Sequence, residues 1–334
     1  MRIRTPKKRT GVGFPMRTFR RGLLTGLSTA WNLGKIVFPI TLITTVLGYT
    51  PLIGWLSGLL SPLMRYLGLP GEAAIPLIIG NTLNLYAPIG VILSMDLTVK
   101  EVFILAVMLS ISHNLFVESA VTKGVGAKLW VTVVIRLGAS VLAAAIINLL
   151  WTGGSRKAGF GILSGAPAAE PNHWGDIFWI GLKSAALGTA KLALIVIPVM
   201  IAIQALKDLR LLDRFAMLIR PATRMFGMEK NASVTMAAGF LFGMTYGAGV
   251  MIQAVREDGV KKKDVYLLIV FLSLCHAVVE DTLVFVPLGI PVWPLLLIRL
   301  ILAVILTFVV SRVWNQREKR NMPVRQTPAH IGSK

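Results

Sequence analysis

Residues 71–95, GEAAIPLIIGNTLNLYAPIGVILSM, form an apolar segment whose middle carries small and polar side chains, namely Gly80, Asn81, Thr82, Asn84 and Tyr86. A related segment, NASVTMAAGFLFGMTYGAGVMIQA at 231–254, has a similar centre with Gly243, Thr245, Tyr246, Gly247 and Gly249. Each segment predicts a hairpin of two half-helices of about ten residues, which reaches roughly 15 Å, or half a bilayer. Non-helical backbone at that depth is tolerated only inside protein or beside a water-filled cavity. We therefore predict two re-entrant hairpins that line a solute pathway; ordinary transmembrane helices with small packing residues are the alternative.

The composition around these segments is that of a membrane protein. Of the 334 residues, 55% are hydrophobic and 15% are charged, and the mean hydropathy is +0.72. Soluble domains have about 25% charged residues, so the composition disfavours a soluble enzyme. The net charge of +20 comes from basic residues between long uncharged runs such as 36–64 and 137–155, a pattern typical of membrane topology. The single cysteine, Cys275, excludes an internal disulfide and a cysteine-cluster metal site.

The chain contains an internal duplication. At an offset of 159 residues the matches include Gly22 with Gly181, Pro39 with Pro198, Arg65 with Arg224, Gly80 with Gly239 and Gly90 with Gly249. After a four-residue insertion the offset is 163, and it pairs Ser110 with Ser273, His113 with His276, Arg136 with Arg299 and Trp151 with Trp314. We predict a basic N-terminal segment at 1–21, a first repeat at 22–151, a linker at 152–175, a second repeat at 176–314 and a basic tail at 315–334.

The distribution of charge predicts the topology of the repeats. If each repeat has about three transmembrane helices, an interfacial helix and a re-entrant hairpin, the second repeat is inserted upside down, as in many transporters. The regions that become cytoplasmic then hold 26 of the 35 basic residues, and the opposite side, including the linker, holds four. The positive-inside rule favours this arrangement. We predict an all-α polytopic protein of two inverted repeats in the cell inner membrane, with cytoplasmic termini and interfacial helices at 51–68 and 207–228.

Polar and ionisable side chains follow each predicted hairpin. The first repeat has Ser110, His113, Asn114, Glu118 and Ser119, and the second has Ser273, His276, Glu280, Asp281 and Thr282. On continuous helices, Asn114 shares a face with Glu118, and His276 shares a face with Glu280. Ionisable groups inside a membrane helix are costly, so they are candidates for function. The alternative role of the carboxylates is structural, with Glu118 and Asp281 paired to Arg136 and Arg299.

This order of helix, interfacial helix, Gly- and Asn-containing segment, polar helix and final helix resembles the nucleoside-recognition or Gate domain. Concentrative nucleoside transporters, the membrane core of ferrous iron transporter B and the spore maturation proteins A and B share that domain. The resemblance implies that Asn81, Thr82 and Asn84, with Thr245 and Tyr246, contribute to a central solute pathway. The chain has no Gly-x-x-x-x-Gly-Lys-Ser/Thr phosphate loop to drive iron uptake. It is also shorter than a full nucleoside carrier.

The leading hypothesis is a permease that moves a small polar solute, a nucleoside or a related molecule, by alternating access of two inverted halves. We expect the substrate-binding residues to be Asn81, Thr82, Asn84, Tyr86, Thr245, Tyr246, His113, Asn114, Glu118, His276, Glu280 and Asp281. One alternative is a divalent-metal pathway of the iron type, with His113, Glu118, His276, Asp281, Cys275 and Met244 as ligands. Another is a non-transporting membrane scaffold whose basic tails recruit anionic lipid or a partner.

Enzymatic activity is not expected, because neither a His-Glu-x-x-His zinc motif nor a Gly-x-Ser-x-Gly elbow is present. We expect no cofactor. The expected partners are the lipid bilayer, a small polar solute, a coupling ion (Na⁺ or H⁺) and a second copy of the chain in a homo-oligomer. Nucleic acid is not expected, since the basic termini lack interleaved aromatic residues apart from Phe14 and Phe19.

Overall fold

A computed structural model describes residues 13–159, 173–209, 211–229, 232–244 and 260–321, and within these ranges every regular element is helical. The predicted all-α class is confirmed. The first half contains α1 Gly13–Gly48, α2 Pro51–Tyr66, α3 Ala74–Thr82, α4 Tyr86–Ile92, α5 Val99–Ser112, α6 Leu115–Gly124 and α7 Leu129–Leu150. The second half contains α8 Trp174–Asp208, α9 Leu211–Met225, α10 Ala232–Met244, α11 Lys262–Leu274, α12 Glu280–Leu283 and α13 Trp293–Asn321.

Among the described residues, three helical segments are long and apolar enough to cross a membrane: Val99–Gly124, Leu129–Leu150 and Trp293–Glu318. The first segment combines α5 and α6 and lies at the centre of the molecule. Of its most apolar 18-residue stretch, 78% is buried, against 22% and 28% in the other two segments. α7 and α13 instead present large apolar side chains outward, including Leu149, Leu150, Ile301 and Ile305. Such surfaces are stable against lipid rather than water. The protein is a membrane protein, and the helical segment at its core is buried and carries polar side chains.

Helices α1 and α8 pack against each other in antiparallel directions along much of their length. Gly22 and Gly26 allow the close approach, because a Cβ atom there would lie 2.6 Å from the Cα of Ile201 and 2.9 Å from the Cα of Ile197. At the other end of the pair, Gly181 lies against Leu42. Small residues allow backbones to approach in this way in membrane proteins. The first long helix begins at Gly13, within the predicted basic segment, rather than near Gly22.

The first predicted hairpin consists of two short helices, α3 and α4, which pack together across a break at 83–85. The nine residues of α3 span about 14 Å, close to the expected half-bilayer length. In the second predicted hairpin, α10 forms one arm, and residues 245–254 lie outside the described residues. The predicted interfacial segments at 51–68 and 207–228 contain the separate helices α2 and α9.

The polar helices that follow the hairpins are broken, which corrects the expectation that they are continuous. α5 ends at Ser112 and α6 begins at Leu115, with Asn114 in the left-handed conformation at φ 55°. α11 ends at Leu274, and Ala277 has φ 42° before the short α12. The hairpin helices stabilise both breaks: the Asn114 N–H donates to the carbonyl of Gly80, and the Ala277 N–H donates to that of Gly239. Each break brings a histidine and a following carboxylate to the same place.

Candidate functional site

The two helix breaks meet at the centre of the molecule and bring together His113, Glu118, His276 and Asp281. His276 Nε2 lies 3.1 Å from Glu118 Oε1 and 3.5 Å from Asp281 Oδ2. His113 Nε2 lies 3.6 Å from Glu118 Oε1 and 3.9 Å from Asp281 Oδ2. All four residues are buried. Each histidine therefore contacts the carboxylate of the other half of the chain as well as that of its own half.

A buried arginine holds each of these carboxylates. Arg136 Nη1 donates to Glu118 Oε2 at 2.5 Å, and Arg136 Nε donates to the Ile111 carbonyl at 2.7 Å. Arg299 Nη2 donates to Asp281 Oδ2 at 2.9 Å and to the His276 carbonyl at 2.8 Å. Buried charges must be paired and hydrogen-bonded, and each arginine provides such a partner and fixes the orientation of its carboxylate. The proposed structural pairing of Glu118 with Arg136 and of Asp281 with Arg299 is present in the structure.

Backbone carbonyls fix the orientation of both imidazole rings. His113 Nδ1 lies 2.8 Å from the Leu109 carbonyl, and His276 Nδ1 lies 2.6 Å from the Leu272 carbonyl. A carbonyl oxygen can only accept, so each Nδ1 carries a hydrogen. Each Nε2 then points toward the carboxylates, and the two ring centroids are 5.4 Å apart. The same arrangement at positions separated by the 163-residue offset gives the site an approximate twofold character.

A cavity of about 130 Å³ opens beside this cluster. It is lined by residues from both halves: Asn84, Leu85, Tyr86, His113, Asn114, Glu118, Phe242, Gly243, Met244, His276, Ala277, Glu280 and Asp281. The cavity has room for several water molecules but is smaller than the roughly 300 Å³ lower limit of pockets for drug-sized ligands. In this conformation it fits an ion or a very small solute.

Two predicted site residues of the first hairpin, Asn84 and Tyr86, form part of the cavity wall. The Asn84 side-chain oxygen accepts hydrogen bonds from the N–H groups of Tyr86 and Ala87, both at 2.9 Å, and so caps the first turn of α4. The Tyr86 hydroxyl donates to Glu280 Oε1 in the second half. The predicted pairing of His276 with Glu280 on one helix face is wrong, because the chain leaves helical geometry between Leu274 and Glu280.

Eight of the predicted site residues line the cavity: Asn84, Tyr86, His113, Asn114, Glu118, His276, Glu280 and Asp281. Asn81 and Thr82 do not line it; the Thr82 hydroxyl donates to the Ile78 carbonyl of its own helix. Thr245 and Tyr246 lie outside the described residues. Cys275 is buried but is not part of the cavity wall, whereas Met244 is.

Leu85, Phe242 and Ala277 also line the cavity and were missed by sequence reasoning, whereas Gly243 lines it from the predicted centre of the second hairpin. The Gly243 backbone has φ 89°, a conformation that a glycine in the predicted hairpin centre could have indicated. Ala277 gives no signal in the sequence.

The charge of the cavity wall favours cations. Among the described lining residues are three carboxylates, two histidines and one tyrosine, with no lysine or arginine on the wall. Arg136 and Arg299 each pair with one of these carboxylates, so the excess of negative charge at the cavity is modest. Such an excess on a confined low-dielectric surface still raises the local concentration of cations relative to anions. His113, His276 and Asp281 also offer ligand atoms that all lie within 4.8 Å of one another, which is the spacing needed to hold a metal ion.

A family model described as Gate, nucleoside recognition, matches the chain over residues 30–166 and 189–290. The chain is 52% identical over 300 residues to a protein of Bacillus subtilis (strain 168) named Uncharacterized membrane protein YvoD. That alignment covers 90% of this chain and 96% of the relative. No solved structure matches the chain. The two matched segments fall in the two halves of the molecule, and together they include every residue named above in the cavity wall.

Proposed function

Because this chain belongs to the Gate family of nucleoside-recognition membrane proteins, we propose that it is a permease for a small polar solute, a nucleoside or a related molecule. The solute passes through the cavity at the helix breaks. One observation carries the proposal: a buried polar cavity lies where the two halves of a membrane protein meet, and both halves supply its wall. Broken helices at such a position offer backbone groups and polar side chains to a solute, as in other secondary transporters.

The packing of α1 against α8 supports an inverted arrangement of the halves. These helices correspond under the 159-residue offset, and they run antiparallel. The contact of Gly22 with Ile201 and that of Gly181 with Leu42 are equivalent under the same offset. Two corresponding helices that run in opposite directions are expected if the second half is inserted upside down. The excess of basic residues on one side of the same topology points the same way.

The small cavity implies that transport requires a change of conformation. A nucleoside exceeds the space available, so the halves must separate before it enters. The hydrogen bond from Tyr86 to Glu280 joins the two halves at the cavity wall. In an alternating-access cycle this contact opens and re-forms as one half moves against the other.

The test is uptake of labelled nucleosides, bases and other small polar solutes into proteoliposomes, with and without an imposed Na⁺ or H⁺ gradient. We expect Asn84→Ala and Tyr86→Phe to lower the uptake rate at least tenfold, because they remove the cap of α4 and the contact between the halves. Thr82→Ala is the matched control: Thr82 lies on the same hairpin but bonds only its own helix, and uptake should be unchanged. Absence of uptake for every solute refutes the permease and favours a membrane scaffold.

A divalent-cation pathway is the second candidate. The acidic cavity wall and its volume of about 130 Å³ favour it over a larger solute. The same proteoliposomes, loaded with a metal-sensitive dye, distinguish the two cargoes. Dye quenching by external metal without nucleoside uptake would support the cation pathway, and the reverse result would exclude it.

A further inference from the structure

We propose that His113, His276 and Asp281 form a binding site for one divalent transition-metal ion, with the Glu118 carboxylate beside it. The proposal concerns binding, and it holds whether or not the ion is transported. The site lies at the cavity, and its ligands come from both halves of the chain.

The first argument is the direction of the imidazole nitrogens. In both histidines Nδ1 is bound to a backbone carbonyl, so Nε2 carries the free lone pair and points at the carboxylates. This is the usual arrangement of metal-ligating histidines, whose second nitrogen donates to a carbonyl or carboxylate that fixes the ring. This histidine arrangement occurs twice, at His113 and His276, which correspond under the duplication.

The second argument is the distance between ligand atoms. The four separations between histidine Nε2 and carboxylate oxygen lie between 3.1 and 3.9 Å. Two ligand atoms that are each about 2.1 Å from a tetrahedrally coordinated ion are about 3.4 Å apart. The Asp281 distances of 3.5 and 3.9 Å are close to this value, and the Glu118 distances of 3.1 and 3.6 Å place its carboxylate beside the ion.

The third argument is electrostatic. An Nε2 lone pair that faces a carboxylate oxygen at 3.1 Å is repulsive unless a proton or a cation lies between them. A proton on one Nε2 relieves only the two contacts of that nitrogen, whereas a metal ion bound by both Nε2 atoms relieves all four. Imidazole and carboxylate ligands suit zinc, iron and similar borderline ions. The observations therefore favour a metal over a shared proton.

Arg136 and Arg299 determine how tightly the ion is held. Each arginine already compensates one carboxylate, so a divalent ion adds positive charge to a buried site. Glu280 supplies a third carboxylate on the cavity wall, and the open side of the cavity leaves room for water on the ion. A site of this kind exchanges its metal, unlike a closed structural zinc site.

The test uses the full-length protein, stripped of metal with a chelator and dialysed against Zn²⁺ in detergent, with bound metal measured by mass spectrometry. We expect one Zn²⁺ per chain in the unmodified protein and at least a tenfold loss of affinity in the His113→Ala, His276→Ala double variant. His173→Ala is the matched control, since His173 is exposed at the start of α8 and should leave binding unchanged. Asp281→Asn provides a second, milder variant, which keeps an oxygen for Arg299 and is expected to weaken binding.

Co²⁺ provides an independent readout, because tetrahedral coordination by nitrogen and oxygen gives visible absorption bands. These bands should appear in the unmodified protein and in His173→Ala, and they should be absent in the double histidine variant. Equal Zn²⁺ content in all variants that elute as folded monodisperse protein, or no bound Zn²⁺ at saturation, would overturn the proposal and leave the shared proton. Loss of solute uptake in proteoliposomes bears on the permease alone, so the two proposals fail separately.

Discussion

Arg136 and Glu118 allow a quantitative test of the buried ion pairs at the centre of the molecule. Both side chains are almost fully buried, and Arg136 makes two hydrogen bonds, one to Glu118 and one to the Ile111 carbonyl. Arg136→Met retains most of the volume but leaves the Glu118 carboxylate without a counter-charge. Breaking a buried pair from one side costs about 3–5 kcal/mol in the free energy of unfolding. Glu118→Leu leaves the buried Arg136 guanidinium without a counter-charge and should lower the free energy of unfolding by a similar amount.

The double variant Arg136→Met, Glu118→Leu removes both charges and should be much less destabilised than the sum of the single variants. Replacing a buried ion pair by apolar side chains is often neutral, so the main remaining cost is the unpaired Ile111 carbonyl, about 1–3 kcal/mol. The assay is unfolding by sodium dodecyl sulfate in mixed micelles, followed by tryptophan fluorescence. Single variants that cost less than about 1 kcal/mol, or a double variant equal to the sum of the singles, would refute the reasoning.

Three further predictions use the same unfolding assay or site labelling. Gly26→Val should destabilise the protein by about 1–3 kcal/mol, because the new side chain meets the backbone of α8, whereas Gly188→Val meets open space and should cost less than half as much. Thr98→Ala should cost about 1 kcal/mol, because it removes the capping box at the start of α5; an unchanged midpoint would contradict this. In intact cells, an impermeant maleimide should label Gly159→Cys but label Lys128→Cys only after permeabilisation, and equal labelling of both would exclude the proposed topology.

The order of helices could be predicted from the sequence because apolar runs, prolines and charge clusters are local signals. The amphipathic segments near α2 and α9 are examples, and so is the split of the first hairpin at 83–85. The breaks at His113 and at Ala277 could not be predicted in this way, because neither contains proline or glycine. Contacts with the hairpin carbonyls of Gly80 and Gly239 impose them, and only Asn114, a residue that tolerates the left-handed conformation, gives a local indication.

The contacts of the candidate site also differ in how far local sequence signals indicate them. The pairs Arg136–Glu118 and Arg299–Asp281 could be anticipated, because each joins a carboxylate to an arginine on the following long helix at the same separation of 18 residues. The contact of His276 with Glu118 could not be anticipated, since no local rule fixes how two halves of a chain sit against each other. The relative position of the two halves is determined by tertiary packing.

Duplication itself explains why so many ionisable groups meet at one place. One repeat alone has a histidine, a carboxylate and an arginine at a helix break. The Nε2 atom of that histidine would then face a single carboxylate and no second imidazole. When two copies pack with their breaks together, His276 lies 3.1 Å from Glu118 and the two imidazole rings are 5.4 Å apart. The cost of burying these groups in a membrane is offset only in the assembled pair, where each carboxylate has an arginine and two imidazoles. Any motion that separates the halves must therefore disrupt the ion site, so occupancy of the site and conformation of the halves are energetically coupled.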